Sequence, residues 1–400
     1  MHTFLLFTTI IISIAFQYKK RRNETLIALK STIKVSFLHK KCTAGDVTFT
    51  AQWQQIYYGG GSSSSSNTST STTTNKDGST TTTTTNKTTG TVTEVTKDKD
   101  GTTTTVETKK DGTVTETVKL PNGTTGTVVT DKNGEVTQVT ASVSSTAARN
   151  ANKAGEAVTL PVEVPAAKTT EDAPAVQVTV PKASGSVKVE IPVENVTPGT
   201  VAVIVDAKGN EKIVATSVTT ENGVVLTVSG TQTVKVIDNA KSFTDVPKTN
   251  VFYNEIASLS AREIMVGKTD DKFDPHNSVT LNQIANVAGR IIGAVDVKDY
   301  NAGIAWGTES GLKTGDTAAT RGDVLMALYI AAGSPIVADT SVLARFTDSA
   351  SIPADLTVAA AWAAQNGILK GNVDGSAGLG NNVTRGQACA LAGRTMGTLA

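Results

Sequence analysis

Apolar and polar residues alternate with period two from about residue 91 to 240, and the beat lengthens to that of a helix after Phe243. Alternation turns one face of a strand to a core and the other to water, whereas apolar residues three and four apart share one side of a helix. In the first stretch, runs such as "TVTETVKL" and "TGTVVTDK" lie between Asp100-Gly101, Asp111-Gly112, Asn122-Gly123 and Asn133-Gly134, which recur every eleven residues; Thr89-Gly90 stands one period earlier. Asp-Gly and Asn-Gly favour type I′ turns, so the spacing predicts a β-hairpin stalk over 91–143. Threonine fills many of its positions, which makes it a half-buried ribbon. "DKDG" at 98–101 lacks the further acidic ligands of a calcium loop.

Residues 144–155 ("SSTAARNANKAG") read as a polar, Ala-rich hinge. Over 156–240, short Val-rich runs separated by Pro, Gly and Asn turns predict about seven strands and a β-sandwich-like module. Upstream, 59–90 is a Gly/Ser/Thr tract that reads as a flexible polar linker.

After Phe243 the chain resembles itself. "FTDV" at 243–246 is echoed by "FTDS" at 346–349, and "EIMVG" ending at Gly267 by "GILKG" ending at Gly371. Thirteen positions separate Gly267 from Thr280 and Gly371 from Thr384; Trp306 and Trp362 each stand five before a glycine. Three copies result, over 243–295, 296–340 and 343–400, each read as helix, loop, helix. The second helix opens on Thr280, Thr320 or Thr384, with Gln283, Asp323 or Gln387 three residues on, the pattern of a capping box. Arg321 and Arg385 follow two of these threonines; Leu281 follows the other. A cation there opposes the helix dipole by a few tenths of a kcal/mol. Two readings account for it: an anion bound at the helix mouth, or an ion pair to Asp245 or Asp348.

Composition narrows the chemistry. The chain has 400 residues, 37 basic against 36 acidic, so nothing global points to nucleic acid. The three histidines (His2, His39, His276) lie far apart, and no nucleophile–base pair accompanies them. Neither a catalytic site nor a cofactor or metal is expected. Cys42 and Cys389 lack CxxC spacing, and Cys389 reads as a buried thiol. Residues 1–41 form an atypical or non-native N-terminus: "FLLFTTIIISIAF" at 4–16 is short for a membrane span and is followed, not preceded, by Lys19, Lys20, Arg21 and Arg22. No stable membrane span is expected. Residues 42–58 read as a remnant strand; "CTAGDVTFTAQW" (42–53) resembles the last strand of a Listeria–Bacteroides-type surface repeat.

The pattern F-x-D, W or I-x-x-L, GI-x-x-G and a TRAE-like helix start resembles the S-layer homology (SLH) family over about 243–400. The resemblance implies an all-α, pseudo-threefold domain of three repeats whose grooves hold secondary cell-wall polysaccharide, commonly with an anionic pyruvylated sugar. The expected architecture is thus multi-part, an all-β middle (meander plus sandwich) followed by an all-α tail. Carried over residue by residue, the polysaccharide-binding set is Asp348, Trp362, Gly371 and Arg385 in the third copy, Trp306, Gly315 and Arg321 in the second, and Asp245 and Gly267 in the first. Leu281 and Glu263 depart from the pattern, so one or two working grooves are expected rather than three. Trp306 and Trp362 also suit a core. The implied function is non-enzymatic anchoring at the cell wall or cell surface, outside the cell, with neighbouring surface proteins as further partners. The alternatives are the C-terminal fragment of a surface hydrolase and an S-layer subunit or adhesin.

Overall fold

The computed structural model of the chain describes residues 67–399. The readings placed on 1–58, and on the start of the linker, lie outside the described residues.

The first described strands are β1 (Thr68–Thr74), β2 (Thr80–Asn86), β3 (Val92–Lys97), β4 (Thr103–Thr108), β5 (Val114–Lys119), β6 (Thr125–Thr130) and β7 (Val136–Ser142), each antiparallel to the next. The meander therefore begins inside the stretch read as linker, where unbroken threonine is itself a strand former. The turns differ from expectation too. Asp98 N–H donates to Thr102 O, and Gly101 N–H to Asp98 O, so the loop has three residues. Only its glycine has positive φ (Gly101, +91°). That is a type I turn closed by a glycine bulge; type I′ would need positive φ at two residues. The Asp100 carboxylate accepts from Thr102 N–H, which explains the acid ahead of the glycine.

The stretch read as a hinge is helix α1 (Ser145–Ala154), capped by the Ser144 side chain and ended by Gly155 at φ +74°. Ala147, Ala148 and Ala151 are its buried stripe. Next come β8 (Val158–Thr159), β9 (Val164–Pro165), β10 (Val176–Thr179), β11 (Ser186–Glu194), β12 (Thr200–Val205), β13 (Glu211–Ile213), β14 (Val218–Thr219), β15 (Gly223–Ser229) and β16 (Thr231–Asp238). Strand β10 lies parallel to β7 and antiparallel to β16. Meander and Val-rich region thus share one eleven-stranded sheet, ordered β1 to β7, then β10-β16-β12-β13. Val139, Val176, Val178 and Val234 of that sheet share a core with Val187, Val189, Leu226 and Val228 of a second, β14-β15-β11-β8.

Helices follow: α2 (Tyr253–Ala261), α3 (Leu281–Ile291), α4 (Tyr300–Glu309), α5 (Arg321–Ala331), α6 (Thr357–Gln365) and α7 (Arg385–Leu399). Long loops join them, two 3₁₀ turns lie at 341–345 and 349–351, and isolated β-bridges link Ser278 to Thr384, Thr280 to Ala318 and Thr320 to Asn382. The expected division into an all-β middle and an all-α tail is therefore overturned. The chain is mixed: its meander is continuous with the next module, and its C-terminal region is not all-α. Backbone donors and acceptors at a sheet edge or a loop must find partners: the edge of β7 finds them in β10, and the loops of the C-terminal region find them in one another.

Arg262, fully buried at the end of α2, joins the two regions. Its guanidinium donates to Ser217 O, Thr200 O and Thr219 Oγ1 of the β region and to Ser258 O and Oγ of its own helix. It forms no ion pair among the described residues, and burial lowers its pKa to about 10. The group therefore stays charged at neutral pH, held by oxygen dipoles alone.

Candidate functional site

Three helix mouths meet in the C-terminal region. Thr280 and Thr320 each cap their helix in a complete capping box, and Thr384 exchanges the same two bonds with Gln387. The mouths bridge one another in a closed ring, through the pairs Ser278–Thr384, Thr280–Ala318 and Thr320–Asn382. The next two N–H groups of every helix, which an anion would need, are already bonded. Arg385 and Gly386 donate to Asn277 O and Pro275 O, Arg321 and Gly322 to Asn381 O and Leu379 O, and Leu281 and Asn282 to Thr317 O and Gly315 O. The mouths are thus filled by loop carbonyls.

Those carbonyls also explain the arginines. Asp245 folds the loop after α2 by accepting from Phe273 N–H (2.9 Å) and Asp274 N–H (2.7 Å). Asp348 does the same after α6, accepting from Ala377 N–H (2.7 Å) and Gly378 N–H (2.9 Å). Burial works against both carboxylates, but the paired backbone N–H groups outweigh it and hold them below the usual aspartate value. Each clamped loop presents carbonyls to an arginine from elsewhere in the chain. Arg385 donates to Phe273 O (2.9 Å) and Val266 O (2.6 Å) and lies over the Phe273 ring, 4.6 Å from its centroid. Arg321 Nη1 donates to Asn372 Oδ1 and Ala377 O, both at 2.8 Å. Neither arginine forms an ion pair among the described residues; the aspartates are engaged by backbone.

The site residues therefore gather in two sets that cut across the copies read from sequence. Asp245 and Gly267 stand with Arg385; Asp348 and Gly371 stand with Arg321. Gly371 sits at φ +85°, and a Cβ there would meet the Phe346 ring at 3.0 Å. At Gly267 a Cβ would fall 2.4 Å from Thr269 O and 2.6 Å from the Phe243 ring. The remaining three residues lie apart from both sets. Trp362 is buried in the helical core against Tyr329, with ring centroids 5.7 Å apart. Half-buried Trp306 packs on the same core beside Gly289. Gly315 exchanges bonds with Asn282, whose backbone N–H donates to Gly315 O and whose Oδ1 accepts from Gly315 N–H.

The two sets differ in access. Arg385 retains 4% exposure. Arg321 is half-buried and lines an open groove of about 550 Å³ together with Asn372, Val373, Asp374, Asn381, Asn382 and Gln387. Its Nε and Nη2 donors make no hydrogen bond among the described residues, so the groove side of the guanidinium is open to a ligand. Burial lowers the Arg321 pKa, Asp348 pulls it back up, and Arg394 lowers it further; it remains a cation at neutral pH. Asp374, its carboxylate held by Ser376, keeps the groove from being uniformly positive. One guanidinium among side-chain amides and a carboxylate suits a hydroxyl-rich ligand carrying a single acid. The sequence reading missed Asn372, Asn381 and Asn382. Their signal was the polar stretch "GNVDGSAGLGNN" between the glycine and the capping threonine.

Among the described residues no helix is long and apolar enough to cross a membrane. No curated protein matches the chain. A family model for the S-layer homology domain matches residues 242–285, the segment holding Asp245, Gly267 and the loop that receives Arg385; such domains are in general cell-wall anchoring modules, which is consistent with a surface-associated protein.

Proposed function

We propose that the C-terminal region anchors this chain, without catalysis, to the outside of the cell wall by binding secondary cell-wall polysaccharide in the Arg321 groove. The observation that carries the reading is the half-satisfied guanidinium of Arg321. Two of its donors are fixed to a clamped loop, and the rest face a groove lined by asparagines and Gln387. Such a fork, held by one end, is preorganised for a carboxylate such as that of a pyruvylated sugar. The amides provide donors and acceptors for ring hydroxyls. On this reading the chain carries three SLH repeats with one principal groove. Leu281 offers no cation at its mouth, and the Arg385 guanidinium is enclosed.

The test is co-sedimentation of the purified protein with isolated sacculi, before and after extraction of the wall polysaccharide. Pelleting with intact sacculi, lost after extraction, is expected; equal pelleting with both would rule the polysaccharide out. Removal of the pyruvyl groups should weaken binding in parallel, and unchanged binding would exclude that sugar.

A further inference from the structure

Gln387, the third residue of α7, serves the helix with one end of its amide and the groove with the other. Its backbone N–H donates to Thr384 Oγ1 (3.3 Å), and its side-chain Oε1 accepts from Thr384 N–H (3.0 Å). A backbone N–H can be met only by an acceptor, so the capping bond fixes which way round the amide sits. The two N–H donors of Nε2 then make no hydrogen bond among the described residues, and the half-buried side chain lines the Arg321 groove. An acid would suit the helix better. At this position glutamate makes the same box and faces the positive end of the helix dipole favourably. Asp323 shows a carboxylate in that place, its Oδ2 accepting from Thr320 N–H at 2.9 Å. That acid faces Lys313, at the start of the loop whose carbonyls fill the Leu281 mouth, where no arginine stands. Beside Arg321 the chain carries an amide instead.

We propose that Gln387 is the specificity-determining residue of the groove, favouring acidic glycan by keeping a second carboxylate away from Arg321; this rests on the anchoring reading of that groove. The lining holds one cation, Arg321, and one acid, Asp374, whose Oδ1 is taken by Ser376. Glutamate at 387 would pair with the open Nε and Nη2 of Arg321 and so occupy the fork. It would also set two acids against one cation in the path of an incoming carboxylate. The amide does neither, and its Nε2 offers donors to that carboxylate or to a ring hydroxyl. Helix and groove thus pull position 387 in opposite directions, the helix toward an acid and the groove away from one.

The experiment measures the affinity of the full chain for purified wall polysaccharide, intact or stripped of its pyruvyl groups. The parent, Gln387→Glu, Gln283→Glu and Arg321→Ala are compared, each beside its melting curve. Gln387→Glu is expected to bind the intact polysaccharide about tenfold more weakly, with the gap narrowing as salt is added. It should bind the stripped polymer as the parent does, and its melting temperature should not fall, because the box is kept. Gln283→Glu makes the same change in a box outside the groove and should bind like the parent. Full affinity in Gln387→Glu, while Arg321→Ala loses it, would overturn the inference and leave the anchoring reading standing. Equal losses in both glutamate variants would also overturn it, as an effect of net charge alone. Should the parent ignore the polysaccharide, both fall together.

Discussion

Arg321 and Arg385 occupy the same position in two helices, directly after a capping threonine, yet the structure uses them differently. Arg385 is enclosed: two carbonyls and the Phe273 ring take its guanidinium, and 4% of the residue reaches solvent. Arg321 is held by one nitrogen and leaves the remainder to an open groove. Position in a motif therefore does not settle role. What settles it is how much of the side chain the receiving loop consumes. The carbonyl-lined loop also removes the puzzle of a cation at a helix N-terminus. The first N–H groups are already bonded, and the guanidinium meets carbonyl oxygens rather than the bare dipole.

This contrast can be broken most forcefully at Arg385. Arg385→Ala should cost on the order of 3 kcal/mol in denaturant unfolding, since two buried carbonyls lose a charged donor and a cavity opens beside Phe273. Any loss of glycan binding should then track unfolding. Gly371→Ala comes next, at about 1–2 kcal/mol, because its φ of +85° and the Phe346 ring both resist a Cβ. Thermal melting would show that effect. Arg321→Ala should cost only about 1 kcal/mol, as solvent replaces its bonds at the groove wall. If unfolding ranks Arg321 above Arg385, the contrast fails.

The smallest effect is one of pH, and it should be common to both sets. Asp245 and Asp348 have folded-state pKa values below the ordinary one, so their contribution is present above the unfolded value of about 3.9 and is lost as pH falls through the folded value. Unfolding midpoints should be flat from neutral pH to about pH 5 and decline below about pH 4. Asp348→Asn should flatten part of that acid limb. A decline centred near pH 6 would implicate other groups.

Much of this region was legible in the chain. The capping threonines announce their helices because a hydroxyl followed by Gln or Asp three residues later has one local use, and all three form the bonds implied. The glycine beat announces the hairpins for the same reason, although the turn type was misread from the dipeptide alone. Helix α1 carried its signals, Ser144 and Gly155, but its apolar stripe is alanine only and reads as polar hinge. The pairing of arginines with loops was not legible. Arg385 reaches a carbonyl 112 residues away and Arg321 an amide 51 away, and no local pattern encodes such distances. Nor do Asn381 and Asn382 show periodicity; they become a wall only when the three mouths close their ring. The merging of meander and Val-rich region through β7 and β10 is equally long-range, a parallel pairing across α1.

The sharpest measurement is the affinity of Arg321→Ala and Arg385→Lys for purified wall polysaccharide, each beside its own unfolding curve. The account predicts that Arg321→Ala loses binding by about tenfold or more, the loss of one charge-assisted contact, while its fold stays near that of the parent. Arg385→Lys should lose stability and, at temperatures where it remains folded, keep its affinity. Undiminished binding by a folded Arg321→Ala variant would contradict the account directly.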